Sequence, residues 1–471
     1  MREGWEMVVG LEVHTELLTA SKMFCSCANA FGAEPNTQVC PVCLGLPGSL
    51  PVLNARAVEL AVAIGMALHS RVGPSTFHRK NYFYPDMPKD FQISQYDRPI
   101  NEGGYLDLSD GSRVGIVRAH LEEDTGKSTH LGGTGRMHDA ERSLVDYNRA
   151  GVPLVEIVSE PDIRSPEQAR LYAAELRAVL IATGASDGRM EEGSMRVDAN
   201  VSVRLPGAPL GTRCEIKNLN SLRSLQRAVA YEAERQVELI LAGRQVRQET
   251  RHWDEGSGET STMRVKEEAE DYRYFREPDL TDLVPDPAMI ARIRAGLGPM
   301  PAERRASLAG LARGAAVPGD VLDAVVGAGL DSFVEAAVAR DVDAAVALSR
   351  AANELAGLDG PGQVRPDAFA EVLAREAAGT LSATQAKAVL AELVRGGGDV
   401  AEIVERRGFA PMSADDLSAT VSQAVAEHPD EWARYCGGED KLAQFFVGVV
   451  MKATRGRANG QQVLAELELR R

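Results

Sequence analysis

The residue pattern changes near residue 290, and this change constrains the architecture of the chain more than any other feature. Residues 1–290 are dense in glycine, proline and aromatic residues, and they contain segments in which apolar and polar residues alternate as in β-strands. Residues from about 291 to 400 are rich in alanine and space their apolar residues by three or four, as in helices. The sequence therefore predicts a sheet-containing first part and a helical second part.

We predict an α+β fold in three domains, because a chain of 471 residues is too long for one ordinary core. Residues 1–290 would form a domain with a mostly antiparallel sheet flanked by helices. Residues 291–405 would form an all-α helical domain. The stretches "RGGGD" and "RRGFAPMS" then introduce a small all-α tail domain, residues 406–471.

Charge and hydropathy exclude two kinds of protein. A net charge of −16 and an isoelectric point near 5.1 argue against binding nucleic acid through bulk electrostatic attraction alone. No apolar run reaches the roughly 18 residues that a membrane-spanning helix needs, and the N-terminal stretch has no apolar leader segment. We therefore expect a cytoplasmic protein with no membrane partner.

Four of the six cysteines lie between residues 25 and 43, in the arrangement C-x-C-x12-C-x2-C. Clustered pairs in an otherwise cysteine-poor chain are typical of tetrahedral zinc sites. Cys25, Cys27, Cys40 and Cys43 would bind a structural Zn²⁺, because four thiolates leave the ion no open position for a substrate. Redox-active or incidental cysteines are the alternative interpretation.

Period-two alternation predicts strands and the side chains that share a sheet face. The predicted strands are "GLEVHTEL", "RVGIVRAHLEE", "PLVEIVSE", "SMRVDANVSVRL" and "TRCEIKNL". Glu12 and His14 lie on the polar side of the first strand, and Asp198 lies on the polar side of the fourth. For any one of these strands taken alone, a solvated sheet face is the favoured interpretation. Glu156 differs, because its segment is apolar on both sides, so its carboxylate should be partly buried and need a cation or hydrogen-bond donors.

A sheet that gathered these side chains with the acidic block 122–124 of "HLEEDTGKST" would need positive charge. We predict Mg²⁺, which prefers oxygen ligands and often binds together with nucleotide phosphates. Mn²⁺ stays open because His14 would be an unusual magnesium ligand.

Two segments suit a phosphate-rich ligand. The "GKS" at residues 126–128 ends like a P-loop, but Leu121 stands where that motif needs its first glycine. Lys127 and Ser128 would instead contact phosphate oxygens beside the ion, although a solvated turn lysine is an equally good interpretation of Lys127.

Residues 78–99 mix basic and aromatic residues, among them Lys80, Tyr82 and Lys89, as in loops that stack on a base and neutralise phosphate. A structural loop that packs its aromatic residues on the core is the competing interpretation. Residues 251–280 repeat the combination, which favours a large anionic ligand.

Seven ordered motifs carry a family resemblance that runs through nearly the whole chain. They are "VVGLEVHTEL", "RKNYFYPDMPKDFQISQYD", "HLEEDTGKSTH", "SLVDYNRAGVPLVEIVSEPDIRSPEQA", "MEEGSMRVDANVSVR", "EIKNLNS" and "MRVKEEAEDYRYFREPDL". Together they resemble the family of aspartyl/glutamyl-tRNA(Asn/Gln) amidotransferase B subunits, the GatB family of the heterotrimer GatCAB. The ending "FFVGVVMKATRGRANGQQV" is similar to the tail domain that this family shares with YqeY-type proteins.

The resemblance implies an ATP-dependent carbon–nitrogen ligase with glutamine as amido donor. ATP would phosphorylate the side-chain carboxylate of Glu on tRNA(Gln) or Asp on tRNA(Asn), and ammonia would displace the phosphate. The family places its catalytic metal in a cradle-like N-terminal domain. The matching catalytic positions are Glu12, His14, Glu123 and Glu156, and Glu122 and Asp198 join these four as predicted metal ligands. Alternation puts Glu122, rather than Glu123, on the face of His120, so the choice between the two stays open.

The resemblance also implies partners. Ammonia would come from a glutaminase A subunit, a C subunit would complete the heterotrimer, and misacylated tRNA(Gln) or tRNA(Asn) would be the substrate, with the cognate aminoacyl-tRNA synthetase as a further partner. The basic residues of the tail, expected to contact tRNA, are Lys441, Lys452, Arg455 and Arg457. A solvated helix end explains these four residues equally well.

Two rival functions stay open at this point. One is a stand-alone carboxylate–amine ligase that uses free ammonia, which has no need of a basic helical tail. The other is a non-catalytic, zinc-containing scaffold that binds tRNA.

Overall fold

The structure is a computed structural model that describes residues 2–132, 140–265, 272–312, 314–356, 362–409, 413–454, 458 and 460–471. The chain divides into two compact units, Met1–Ala302 and Glu303–Arg471.

Strands and four helices make up the first unit. The strands are β1 (Glu6–Glu16), β2 (Arg71–Val72), β3 (His78–Asn81), β4 (Phe91–Ser94), β5 (Asn101–Glu102), β6 (Tyr105–Asp107), β7 (Arg113–Glu123), β8 (Lys127–Leu131), β9 (Arg142–Asp146), β10 (Pro153–Ser159), β11 (Met195–Arg204), β12 (Cys214–Leu219), β13 (Glu249–Asp254), β14 (Glu259–Val265) and β15 (Phe275–Arg276). The helices are α1 (Ala55–Ala67), α2 (Pro166–Ala182), α3 (Leu222–Leu241) and α4 (Pro287–Gly296).

One large sheet dominates this unit, with the strand order β14-β13-β12-β11-β1-β10-β7-β4-β3-β15. Its described strand pairs are antiparallel except for β12 and β13, which run parallel. Strands β8 and β9 form a separate two-stranded sheet. The prediction of a mostly antiparallel sheet combined with helices is confirmed.

The core lies between one face of this sheet and its helices. Val9, Leu11 and Val13 of β1 are fully buried, as their alternation requires. Helix α1 packs on β7, and α3 packs on β11. Each of the four helices of this unit follows a residue whose side chain caps it; at the start of α2, for example, the side chain of Ser165 accepts the amide N–H of Gln168. The opposite face of the central strands is therefore left for polar side chains.

A buried ion-pair network attaches the hairpin β13–β14 to α3. Glu232 of α3 is 0% exposed and accepts hydrogen bonds from Arg235 (2.6 Å) and Gln236 (2.8 Å) on its own helix and from Thr260 of β14 (3.0 Å). Nε of Arg251 on β13 lies 3.3 Å from the same carboxylate. Burial alone would raise the pKa of Glu232, but Arg235 and Arg251 hold it below its ordinary 4.5.

Replacing Glu232 by Gln is expected to destabilise the protein by about 2 kcal/mol, because it removes the fully buried carboxylate that Arg235 and Arg251 share. Glu249 remains as an acidic partner of both guanidinium groups. Urea denaturation followed by circular dichroism measures this, with Glu238→Gln on the exposed side of α3 as the control. A group with a lowered pKa stabilises the folded state above its unfolded pKa, and that contribution is lost as pH falls. The difference between the native protein and Glu232→Gln should therefore shrink below about pH 4.5; a difference that stays constant in acid would contradict this account.

Helices make up the described part of the second unit. The helices after α4 are α5 (Pro301–Leu311), α6 (Gly319–Gly327), α7 (Asp331–Val338), α8 (Ala344–Glu354), α9 (Pro366–Ala377), α10 (Ala383–Gly396), α11 (Val400–Arg406), α12 (Ala414–Glu427), α13 (Pro429–Cys436), α14 (Leu442–Ala453) and α15 (Gly460–Glu468). One apolar cluster reaches from Leu308 to Ile403, and a separate smaller one from Leu417 to Leu467. The prediction of a helical C-terminal region is confirmed, whereas the domain boundaries stay a prediction.

In the part of the chain that the structure describes, no helix combines the length and the apolar character needed to cross a membrane.

Candidate functional site

Four neighbouring strands bring a row of polar side chains together on the sheet face opposite the core. His14 of β1 lies opposite Arg196 of β11 on one side and Glu156 of β10 on the other. Glu156 in turn lies opposite His120 of β7. Residues far apart in sequence thus become direct neighbours because of strand register.

His14, Glu122 and Glu156 form a group with the spacing of metal ligands. Nε2 of His14 lies 3.5 Å from Oε1 of Glu122 and 3.8 Å from Oε2 of Glu156. One ligand atom from each residue lies within 4.8 Å of those of the other two. One imidazole nitrogen and two carboxylate oxygens suit a divalent cation, and the imidazole makes Mn²⁺ a better match than Mg²⁺. The residues present therefore fit a divalent metal ion.

The surroundings of Glu156 keep its carboxylate ionised. Its side chain is 17% exposed, and Nε2 of His120 lies 3.3 Å from its Oε2. Burial alone would raise the pKa of Glu156, but His120, His14 and Lys80 outweigh burial and hold it well below its ordinary range. The expectation that Glu156 is partly buried and partnered is confirmed, and His120 is the contact that orients it.

Lys80 of β3 borders the same carboxylates. Burial lowers the pKa of Lys80, but the influence of Tyr274, Glu122 and Glu156 outweighs it, so the net shift is upward. Nζ also lies 4.7 Å from the ring centre of Tyr272. A permanently charged ammonium is thus held beside the group formed by His14, Glu122 and Glu156.

Glu12 and Asp198 lie on the same face, opposite each other across β1 and β11, but each has its own partner. The side-chain amide of Asn200 donates to Glu12 at 2.8 Å, and Nζ of Lys217 donates to Asp198 at 2.6 Å. They are not among the atoms within 4.8 Å of the His14 group in the described residues. Their part in metal binding stays a prediction.

Glu123 lies on the other side of β7 from Glu122. Its carboxylate binds Nζ of Lys89 and accepts the backbone N–H of Ile93 at 2.9 Å. Glu123 and Lys89 are both buried, and they line a cavity together with Phe24. Between the two carboxylates that the sequence left open, geometry therefore groups Glu122 with His14 and Glu156. A catalytic role for Glu123 stays a prediction.

The remaining residues expected to contact phosphate or RNA are dispersed. Lys127 and Ser128 are exposed on the hairpin β8–β9. Tyr82 packs its ring against Tyr84, with centres 4.7 Å apart, and its N–H donates to the carbonyl of Asp90.

In the tail, Lys441 and Lys452 are exposed at the two ends of α14. Arg455 and Arg457 lie outside the described residues. Contacts of these side chains with tRNA stay predictions.

The four clustered cysteines come together as their spacing predicts. The Sγ atoms of Cys25, Cys27, Cys40 and Cys43 lie within 4.8 Å of one another, and those of Cys40 and Cys43 are 3.9 Å apart. A Zn–S distance of about 2.3 Å implies sulfur–sulfur distances of about 3.8 Å in a tetrahedron. The backbone N–H of Cys40 also donates to Sγ of Cys43 at 3.1 Å. These residues therefore fit a structural zinc ion.

Sequence reasoning missed two residues of the site. His120 shares the alternation of Glu122 in β7, so that pattern was a usable signal for it. Tyr274, which influences the pKa of Lys80, follows no periodic pattern and stacks on Tyr96 at 4.1 Å between ring centres. Its place depends on the pairing of β15 with β3, which joins segments far apart in the chain.

Sheet and site together define a class: a sheet-based domain with a candidate divalent-metal group and a four-cysteine cluster, followed by a helical region. The family model of the GatB/GatE catalytic domain matches residues 7–291, and the family model of the GatB domain matches residues 334–469. The chain belongs to the GatB family.

Curated relatives match this chain along nearly its full length. A protein of Frankia casuarinae is 52% identical over 98% of this chain and 94% of its own length. Proteins of Nocardia farcinica and of an Anaeromyxobacter species are 49% and 47% identical over 98% of this chain and 94% and 98% of their own lengths. All three are named as the B subunit of an aspartyl/glutamyl-tRNA(Asn/Gln) amidotransferase.

Proposed function

We propose that this chain is the B subunit of a tRNA-dependent amidotransferase, an ATP-dependent carbon–nitrogen ligase with glutamine as amido donor. It would convert Glu-tRNA(Gln), Asp-tRNA(Asn) or both to the corresponding amide. The observation that carries the proposal is the group of His14, Glu122 and Glu156, within the part of the chain that matches the GatB/GatE catalytic domain.

The reaction needs two successive transfers on one carboxyl group, first of a phosphoryl group to its oxygen and then of ammonia to its carbon. A side-chain carboxylate oxygen attacks the γ-phosphorus of ATP, ADP leaves, and an acyl phosphate forms. Ammonia then attacks the acyl carbon, phosphate leaves, and a proton is lost from nitrogen to give the amide. Activation is required because a carboxylate is a poor electrophile, whereas phosphate is a good leaving group.

His14, Glu122 and Glu156 would hold Mg²⁺ or Mn²⁺, which when bound offsets charge on the phosphoryl oxygens. Glu12 and Asp198, on the same sheet face, would support that ion or a second one. Lys80 supplies a fixed positive charge next to the carboxylates, and His120 orients Glu156. Lys127, Ser128 and the aromatic residues of segment 78–99 would bind ATP or the 3′ end of the tRNA.

The four cysteines would hold a structural Zn²⁺ that fixes residues 25–43 on the sheet domain. We propose three domains: a catalytic cradle (1–290), a helical domain (291–405) and a YqeY-like tail (406–471) that binds tRNA. The complex would include a glutaminase A subunit, a C subunit and, transiently, the cognate aminoacyl-tRNA synthetase. Its place would be the cytoplasm.

A reconstitution tests this function. The chain is incubated with its A and C partner subunits, ATP, glutamine and either Glu-tRNA(Gln) or Asp-tRNA(Asn), and the amino acids released from the tRNA are identified. We expect glutamine or asparagine only when ATP, all three subunits and a misacylated tRNA are present.

Each rival function has its own outcome in this assay. Amidation of a free carboxylate by ammonium, unchanged after deletion of residues 413–471, would favour the stand-alone ligase. ATP turnover that does not depend on this chain would favour the non-catalytic scaffold.

A further inference from the structure

Lys22 is a fully buried cation in the first unit, with 0% of its surface exposed. Its Nζ donates a hydrogen bond to the carbonyl of Tyr147 at 3.2 Å. Among the residues that the structure describes, no carboxylate forms an ion pair with it. Since burying an unpaired ammonium is strongly unfavourable, a negative charge is expected nearby.

The Lys22 side chain passes close to the four-cysteine cluster. A Cβ atom built on Gly151 would lie at ordinary van der Waals distance, 3.6 Å, from both Cβ of Cys43 and Cδ of Lys22, so these two side chains approach the same glycine. The backbone N–H of Lys22 also donates to the carbonyl of Cys27 at 3.0 Å. Gly151 has a φ of +86°, a backbone conformation that favours glycine.

The other acid in this region already has a partner. Oε2 of Glu123 would lie 3.7 Å from the same built Cβ, but Lys89 and the N–H of Ile93 bind the Oε1 atom of that carboxylate. Glu123 therefore does not require Lys22 for neutralisation. Four thiolates around one Zn²⁺, in contrast, leave a net charge of about −2 in a partly buried site.

We propose that Lys22 is the buried counter-cation of the four-cysteine site. It binds no metal itself, and it raises the affinity of the thiolates for Zn²⁺ by offsetting their excess charge. Lys22 is thus a positioning residue for the metal site, which clarifies why the fold keeps a lysine in its interior. The inference rests on the proposed occupancy of the four-cysteine site by zinc.

The segment that accepts the Lys22 hydrogen bond also anchors the cysteine loop. The N–H of Asn36 donates to Asp146 at 2.9 Å, and the N–H of Gln38 donates to Asn148 at 2.8 Å. The loop between the two cysteine pairs is thereby held against residues 146–148, beside the carbonyl of Tyr147. Lys22 therefore contacts the segment that holds the cysteine loop in place, and it carries a charge opposite to that of the four thiolates.

Three substitutions in the full-length chain separate charge from hydrogen bonding. Lys22→Met removes both, Lys22→Gln keeps a donor for the Tyr147 carbonyl but removes the charge, and Lys22→Arg keeps the charge. Zinc affinity is measured by competition with a chromogenic chelator. We expect Met and Gln to weaken zinc binding by roughly 10–100-fold, the usual cost of an outer-shell change, and Arg to weaken it least. Lys387→Met, at an exposed lysine of α10, is the control.

Cobalt substitution tells a charge effect from damage to the site. The Co²⁺ absorption bands of tetrathiolate coordination should keep their positions in Lys22→Gln while higher Co²⁺ is needed to develop them. In thermal denaturation, the stabilisation gained on adding zinc should be smaller in Lys22→Gln than in the native chain. A merely structural role for Lys22 would instead lower the stability of metal-free and metal-loaded protein equally and leave affinity unchanged.

The outcomes are distinguishable. Equal zinc affinity in the native chain, Lys22→Met and Lys22→Gln would overturn the counter-cation role and leave the zinc site intact. A native chain that develops no tetrathiolate Co²⁺ spectrum would overturn the zinc site proposed above, and the role of Lys22 with it. If Lys22→Met does not fold, Lys22→Gln carries the same comparison.

Discussion

Glu156→Gln is expected to remove nearly all tRNA-dependent ATP turnover and amide formation from the assembled complex. The amide lacks the negative charge that His14, His120 and Lys80 surround, and it replaces one of the three closest candidate ligands. The loss should exceed the roughly 10–100-fold that an outer-shell change costs, because a direct ligand is removed. ADP release and the released amino acids measure it, with Glu156→Asp as a variant that keeps the charge.

A matched control lies at the end of the same strand. Glu160 follows β10, its side chain is exposed, and Glu160→Gln should leave turnover unchanged. Raising Mg²⁺ or Mn²⁺ should restore part of the activity of Glu156→Asp more readily than that of Glu156→Gln. Full activity in Glu156→Gln would contradict the proposal that His14, Glu122 and Glu156 form the catalytic metal site.

The same assay distinguishes the two neighbouring acids. Glu122→Gln should resemble Glu156→Gln, since both carboxylates lie near Nε2 of His14. Glu123→Gln should act differently: it leaves Lys89 buried without its charge partner, so protein stability is expected to fall.

Alternation was sufficient to predict much of this sheet. The segment "RVGIVRAHLEE" coincides with β7, and its period of two predicts that Glu122 shares a face with His120, which the structure bears out. The burial of Glu156 followed from an apolar sequence on both sides. Such local patterns hold because a strand that buries one face cannot shift by one residue without exposing its core.

Contacts between distant segments were beyond this reasoning. The pairing of Glu123 with Lys89 depends on where β4 meets β7, and that meeting is not encoded in either strand alone. Asp198, predicted to be a metal ligand, likewise forms an ion pair with Lys217 because β12 pairs with β11. The alternation within one strand predicts which sheet face a side chain lies on. Its neighbour on that face depends on the register of the adjacent strands.

Residues 20–54 are not held in place by strand pairing or helix formation, unlike the rest of the sheet domain around them. In the described structure this stretch contains turns and an isolated bridge between Ser21 and Ala28, but no strand or helix. A loop of this length inside a compact unit is uncommon, and a bound metal ion that links its cysteines would hold it in one conformation. The stretch nevertheless contributes Met23 and Phe24 to the core. Asn54, at its end, caps α1 and donates a hydrogen bond to the carbonyl of Ser21.

Cys43→Ser is therefore expected to abolish stoichiometric zinc binding and loosen this stretch. Cys43 is 5% exposed and accepts the N–H of Cys40, and serine cannot supply a thiolate. Because a direct ligand is lost, zinc affinity should fall by more than about 100-fold. Metal analysis after gel filtration measures the binding, and hydrogen exchange should speed up in residues 20–54 while β1 and β10 keep their protection.

Cys214→Ser is the matched control for this change. Cys214 is also a buried thiol of the first unit, but it lies in β12 and outside the four-cysteine group, with its Sγ near the carbonyl of Arg247 at 3.3 Å. It should keep its zinc and the native exchange pattern in residues 20–54. If Cys43→Ser held zinc as tightly as Cys214→Ser, the four sulfur atoms would not be the ligands, and the order of residues 20–54 would have to come from hydrogen bonds such as those of Asn36, Gln38 and Asn54.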